Sequence, residues 1–344
     1  MHGFIVEKTK THHSFVKKIA INLSIAVVLL SGFGLYTYGT KTLDTSLVSA
    51  KKLLPFSVDI ATPVQGGDII IAPPKITPPK LPILQGELPL QENIAAKGVI
   101  VKDVETGMVL YHKNEYTPHP IASITKLMSA LVLLEHDIDW DSTAVVPPDT
   151  IIDTHMYAGD TYSLQELWTS MLVGSSNKAV ISLIDATHWT REMFIARMNE
   201  RANELGMGDT IFTDPTGLDE GNKSTPADIV MLVEEALRYE KIREGLLTKD
   251  ITLFSEERQK KHHMWSTNWL LLGWIPHDFA VLYGGKTGYI GASGYNFTMQ
   301  VADTKDHKVN VVVFGAPSHE ARFTVARDIA ADVFAQYIWP DEQQ

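Results

Sequence analysis

The chain contains no cysteine among its 344 residues. That absence excludes a disulfide framework, a thiolate metal site and a cysteine nucleophile, and it is compatible with either redox compartment. A basic stripe is also missing: 30 lysines and arginines stand against 41 aspartates and glutamates, a formal charge of -11, so nucleic acid is not an expected partner. Histidine occurs 13 times, yet there is no His-Glu-x-x-His, and His12-His13 and His262-His263 lack a third ligand at metal-binding spacing. Surface or structural roles are therefore expected for these histidines rather than a metal site, and a Ser-His-Asp triad has no strong candidate. What is present is 44 % hydrophobic residues, enough core for one large or two ordinary domains.

Residues 19–38 carry no charge and follow Lys8, Lys10, Lys17 and Lys18. As a helix this stretch spans about 30 Å, the thickness of a bilayer core, and the basic flank keeps the N-terminus inside. The expectation is a cytoplasmic tail at 1–18, a single-pass membrane anchor at 19–40 and an exported remainder. A cleaved signal peptide is the alternative, with 48–50 loosely resembling a cleavage site. Eight of the 17 prolines then fall within 43–92, which favours extended chain. We read 41–93 as a linker, with a short strand near 68–72, and 94–344 as the folded domain.

That domain opens with two alternating apolar runs, 98–104 and 108–112, joined at Glu105-Thr106-Gly107 as a hairpin. A long apolar helix is expected over 123–135. Ser163-Leu164-Gln165-Glu166 has the capping-box pattern, Thr225-Pro226-Ala227-Asp228 offers an N-cap followed by proline, and 191–205 ends before Gly206; each marks a helix. Strands are expected at 281–287, 295–302 and 308–314, and a last helix at 320–338. Strands at both ends with helices between predict an α+β fold, an antiparallel sheet built from both ends of the domain with helices packed on it.

Three short elements follow in order: Ser123-Ile124-Thr125-Lys126, Ser175-Ser176-Asn177 and Lys286-Thr287-Gly288. Together they describe a serine acyl-transfer site: a nucleophile with a lysine one helical turn away, a serine and amide for proton relay and substrate holding, and a strand able to receive a carboxylate. Each is weak alone. Ser-x-x-Lys recurs from Ser14, Ser49 and Ser175, but only the copy at Ser123 follows Pro120 and opens a long apolar helix. Taken singly, Ser123 and Lys126 read equally well as an N-cap and a snorkelling lysine, and Ser175 and Asn177 as a helix cap. Ser-x-Asn also recurs at Ser266. Residues 280–287 satisfy a relaxed phosphate-loop pattern, yet Gly288, Gly291 and Gly294 follow, so no helix starts there to hold phosphates.

With these elements in place, the chain from about Gly98 onward resembles the low-molecular-mass penicillin-binding proteins of the D-alanyl-D-alanine carboxypeptidase and endopeptidase group. Residues 120–128, 214–218, 267–271 and 285–289 all look like this group. The resemblance implies a serine β-lactamase/DD-transpeptidase-like fold and a serine-type D-Ala-D-Ala carboxypeptidase acting on peptidoglycan stem peptides, with β-lactams as covalent inhibitors and no cofactor. It implies Ser123 as nucleophile, Lys126 as its base, Ser175 linked to Lys286 for returning a proton, and Asn177 on the substrate amide. Lys286 and Thr287 would receive the carboxylate, with Gly288 completing that element, and the backbone N–H groups of Ser123 and Tyr289 would form the oxyanion hole. It also makes 267–271 a structural segment. The resemblance does not extend to a trailing β-rich domain, so membrane attachment is expected from the N-terminal segment. The alternatives are a DD-endopeptidase, a serine β-lactamase, disfavoured because 178–285 has no Glu-x-x-Leu-Asn-like segment, and an inactive wall-binding module.

Overall fold

A computed structural model describes residues 79–147 and 156–343. They belong to a compact unit spanning Ile76–Gln344. The expected membrane segment at 19–40 and the strand near 68–72 lie outside the described residues, and among the described ones no helix is long and apolar enough to cross a membrane.

The framework is a five-stranded antiparallel sheet of β1 (Gly98–Asp103), β2 (Val109–Lys113), β3 (Val281–Ile290), β4 (Gly294–Ala302) and β5 (Lys308–Ala316). Its spatial order is β3-β4-β5-β1-β2, so the two ends of the domain meet where β5 pairs with β1, with Val311 opposite Val101. Because β1 and β5 are central, both of their faces are covered and their sequences are nearly continuous aliphatic runs. The period of two then sorts their side chains into two cores. Ile100, Val312 and Phe314 join a helical core, while Val99, Val101, Val309, Val311 and Val313 join a second one on the other face.

The helical core is built by α1 (Thr125–Leu133), α2 (Leu164–Val173), α3 (Asn177–Ala186), α4 (Arg191–Glu204), α5 (Pro226–Ala236) and α6 (Glu240–Leu247). Every residue of α1 is buried, which explains why its sequence has no polar face. The capping box predicted at α2 is present: Ser163 Oγ accepts from the Glu166 N–H and Glu166 accepts from the Ser163 N–H. Thr225 caps α5 with Pro226 in its first turn. After the one-turn α7 (Trp269–Leu272), the last helix, α8 (Ala321–Gln336), covers the other face of the sheet.

Three local differences from the sequence reading have physical causes. Ser123 does not begin the α-helix; it sits in a 3-10 turn, Ala122–Ile124, ahead of α1. Ala122 there has φ +50°, a conformation that regular helix cannot include. The last helix stops at Gln336 because Tyr337–Ile338 pairs with Ile83–Leu84, which also places part of the segment read as linker on the domain. Finally, Asp250–Ser255 and Lys260–Trp265 form a β-hairpin that the sequence reading did not anticipate.

Candidate active site

The turn carrying Ser123 is wedged between strand β3 and the loop before Asn222. A Cβ added to Gly288 on β3 would lie 2.5 Å from the Ile121 carbonyl oxygen and 3.2 Å from the Ser123 nitrogen. From the other side, Gly217 has φ +87°, and a Cβ there would lie 2.1 Å from the Ala122 oxygen. Only glycine permits both approaches. The 214–217 loop is itself fixed, since Asp214 Oδ1 accepts from the N–H groups of Thr216 and Gly217 and buried Asn222 accepts from those of Thr213 and Asp214. Ser129 Oγ of α1 donates to the Pro215 carbonyl at 2.6 Å, tying the loop to the helix that bears Lys126.

Lys126 is fully buried. Its Nζ reaches Ser123 Oγ at 2.8 Å, Asn177 Oδ1 at 2.7 Å and the Thr216 carbonyl at 2.7 Å. The last two are acceptors only, so they take two N–H bonds whatever the charge on the amine. The third position faces a hydroxyl, which serves an ammonium as acceptor or a neutral amine as donor. A neutral amine held by those two acceptors would turn its lone pair to Ser123 Oγ, the geometry that proton removal from that hydroxyl needs.

The three residues 175–177 diverge. Ser175 has φ +59°, a strained conformation for a residue with a Cβ, and its Oγ accepts from Lys286 Nζ at 2.8 Å. Ser176 caps α3. Asn177, the first residue of that helix, turns to Lys126. Thus Ser123, Lys126, Ser175, Asn177 and Lys286 meet in one polar cluster at the end of α1, the start of α3 and the middle of β3.

Lys286 is 1 % exposed. Burial, followed by the charges of Lys126 and Arg322, holds its pKa well below the ordinary ammonium range. Thr287 Oγ1 lies 2.7 Å from Thr267 Oγ1. A cleft of about 450 Å³ opens above these groups, lined by Ser123, Ser175, Thr287 and Gly288 together with Thr267 and Tyr289. Tyr289 is half-exposed and stacks on Tyr295 at 4.4 Å between ring centroids.

Four residues at this site escaped the sequence reading. Thr216 contributes a backbone oxygen, for which no side-chain signal exists. Thr267 was placed in a structural segment; Asn268 does cap α7, but Thr267 reaches the cleft, and the second Ser-x-Asn was its only signal. His319, in the turn just before α8, and Arg322, in the first turn of α8, also line the cleft. Arg322 is 3 % exposed. Its guanidinium donates to His319 Nε2 at 2.8 Å and to the Gly288 carbonyl at 3.4 Å, and burial lowers its pKa to about 10. Burial and the adjacent Arg322 push His319 down to about 4, so at neutral pH the imidazole is uncharged and accepts from the arginine. Arg322 is thus a cation beside Lys286 and Thr287, and no carboxylate touches it among the described residues.

Comparison with known proteins agrees with this geometry. A family model described as D-alanyl-D-alanine carboxypeptidase matches residues 86–318. The chain is 29 % identical over 254 residues to the D-alanyl-D-alanine carboxypeptidase DacF of Bacillus subtilis, covering 70 % of this chain and 63 % of that protein. It is 31 % identical over 251 residues to a D-alanyl-D-alanine endopeptidase of Pseudomonas aeruginosa, covering 70 % and 78 %. The solved structure of penicillin-binding protein D2 from Listeria monocytogenes in its cefotaxime-bound form is similar with a TM-score of 0.60 and 30 % identity, covering 73 % of this chain and all of that one. The mixed α+β architecture, the serine-lysine pair at the head of a buried helix and the matched family model lead to one conclusion: the chain belongs to the D-alanyl-D-alanine carboxypeptidase family of serine peptidases.

Proposed function

We propose that the protein is a serine-type D-Ala-D-Ala carboxypeptidase of peptidoglycan stem peptides, working through an acyl-enzyme on Ser123. The observation that carries this reading is the Lys126 amine with two fixed carbonyl acceptors and its third position on Ser123 Oγ. Ser123 Oγ attacks the carbonyl of the penultimate D-alanine while Lys126 takes its proton. The ester forms as the C–N bond breaks, and the leaving amine collects a proton through Ser175, whose hydroxyl rests on Lys286. Water then attacks the ester, its proton returning to the lysine-serine cluster, and free Ser123 and a shortened stem peptide result. Backbone N–H groups of Ser123 and Tyr289 serve as the oxyanion hole, a contribution typically of about 3 kcal/mol per donor. Asn177 holds the substrate amide as well as Lys126. The terminal carboxylate is received by Lys286, Thr287 and Arg322, in an anion site that Gly288 lets approach the serine turn.

β-Lactams acylate the same serine, in keeping with the cefotaxime-bound relative. Residues 1–18 form a cytoplasmic tail and 19–40 the anchor, and the linker that begins at 41 ends before Ile83–Leu84, which pairs with the peptidase domain on the outer side of the membrane. A second reading, DD-endopeptidase action on cross-links, is favoured by the endopeptidase name of the Pseudomonas aeruginosa relative.

The test is gel detection of covalent labelling of the detergent-solubilised full chain by a fluorescent penicillin, alongside Ser123→Ala. Labelling that disappears in the variant is the expected result; equal labelling of both, or none in a folded wild-type chain, rejects the acyl-enzyme reading. Release of D-alanine from a pentapeptide, set against cleavage of a cross-linked dimer, separates the two peptidase readings.

A further inference from the structure

Exposed apolar side chains that adjoin one another mark interaction sites, as singly scattered ones do not, and this domain leaves two tryptophans exposed side by side. Trp265 is 53 % and Trp274 55 % exposed, with ring centroids 6.3 Å apart. Neither is isolated from the cleft. Trp274 leans edge-on against Trp269 at 5.7 Å, and Trp269 lies over His319, a wall of the cleft, at 4.2 Å. Trp265 is also joined along the chain, two residues before Thr267, which lines the same cleft. The indoles therefore extend the cleft wall outward across the hairpin of Asp250–Ser255 and Lys260–Trp265.

The groups around these rings decide what they suit. His263, on the same face of the strand as Trp265, meets its edge at 4.7 Å and bonds Thr252 Oγ1 at 2.8 Å. Asp250 is directly opposite Trp265 in the hairpin, and Lys261 is exposed further along. A surface made for lipid would have to bury that carboxylate and ammonium at a cost two indoles do not offset. Ring faces bordered by hydroxyl, imidazole and charged groups suit instead a ligand that is apolar on one face and hydroxylated at its edges. A pyranose has that form: its axial C–H bonds meet the electron-rich ring face while its equatorial hydroxyls reach polar neighbours.

We infer that Trp265 and Trp274 form a platform for the sugar rings of a glycan strand, holding the polysaccharide from which a stem peptide enters the cleft. This rests on the stem-peptide reading above. The occupant follows from continuity with the cleft, because a peptide bound there brings its covalently attached polymer across the adjoining surface. The consequence is a preference for polymer-borne over free stem peptide that the acyl-transfer residues alone do not supply.

The test uses the detergent-solubilised full chain and a Trp265→Ala/Trp274→Ala double variant, both first checked for fluorescent penicillin labelling. Peptide-free glycan strands should change the tryptophan fluorescence of the parent and leave that of the double variant unaltered. The ratio of kcat/KM for glycan-linked over free stem pentapeptide should fall by about tenfold in the variant. Labelled protein with no glycan response, or with the same response and ratio in both forms, overturns the platform while leaving the peptidase reading intact. Loss of labelling in the parent would instead remove the reading on which it rests. Nanodiscs of brominated lipid that quench the parent more than the double variant would make this a membrane-facing patch and also overturn the assignment.

Discussion

The cleft has a helical half and a sheet half, each with a buried lysine whose amine reaches a serine hydroxyl at 2.8 Å. Their surroundings differ. Lys126 faces Asn177 Oδ1 and the Thr216 carbonyl, two acceptors held by a helix start and a hydrogen-bonded loop. Lys286 has one backbone carbonyl, its neighbour Thr287 at 3.2 Å, and burial first, then nearby Lys126 and Arg322, depress its pKa. Buried charges need partners. The helical half thus orients its amine toward Ser123 Oγ, whereas the sheet half sets positive charge around a lysine that burial makes easy to deprotonate. Among the described residues no carboxylate touches Arg322, and the proposed substrate carboxylate is the counter-charge that would fit there.

The largest effect should come from breaking the helical half. Lys126→Met keeps the length of the side chain and removes the amine 2.8 Å from Ser123 Oγ, leaving Asn177 Oδ1 and the Thr216 oxygen without that donor. The acylation rate by a chromogenic cephalosporin, followed by stopped flow, should fall about 10³- to 10⁴-fold, the upper range for loss of a general base. A loss under tenfold would mean that another group takes the proton.

Lys286→Met should separate activity from stability. Acylation should fall about a hundredfold, since Ser175 loses its partner. The stability change has the opposite sign at neutral pH. Because the folded-state pKa is depressed, the unfolded chain binds one more proton between that value and about 10.5, and stability rises with pH across this window. The parent therefore carries a penalty at neutral pH that fades as pH approaches about 10.5, and Lys286→Met carries none. Urea midpoints measured from pH 7 to 10 should be higher for the variant at the low end and converge toward the high end. Parallel curves would mean that Lys286 is not depressed.

The two halves were also unequally legible in the sequence. The frame was readable because it rests on local rules: the capping box at Ser163, the Thr225-Pro226 start of α5 and the aliphatic runs of β1 and β5. Ser123, Lys126, Ser175, Asn177 and Lys286 could be picked out as a group because their residue types stand in short fixed spacings, and the structure brings their side chains together. Thr216 could not, since any residue type can offer a carbonyl. Arg322 and His319 were hidden for another reason: they are 33 or more positions beyond Lys286 and reach it only because α8 folds back across the sheet. The 3-10 turn at Ser123 depends likewise on the tertiary approaches of Gly217 and Gly288 to residues 121–123. Local spacing names the reactive atoms, and long-range packing supplies their electrostatics.

The smallest perturbation tests whether the sheet half is an oriented receptor or only a region of positive potential. Thr267→Val preserves shape and removes the hydroxyl 2.7 Å from Thr287 Oγ1. No charge changes, so a site working by potential alone should bind a carboxylate-ended peptide as before. If the Thr267 hydroxyl, which accepts from Thr287 Oγ1, turns its own proton to the carboxylate, KM for a D-Ala-D-Ala peptide should rise about three- to tenfold, the worth of about one net hydrogen bond, with kcat nearly unchanged. A peptide amidated at its terminus has no carboxylate for that hydroxyl to meet, so its KM should be the same in both proteins. An equal rise for acid and amide would place the effect of Thr267 in the general shape of the cleft and leave the receptor to Lys286 and Arg322.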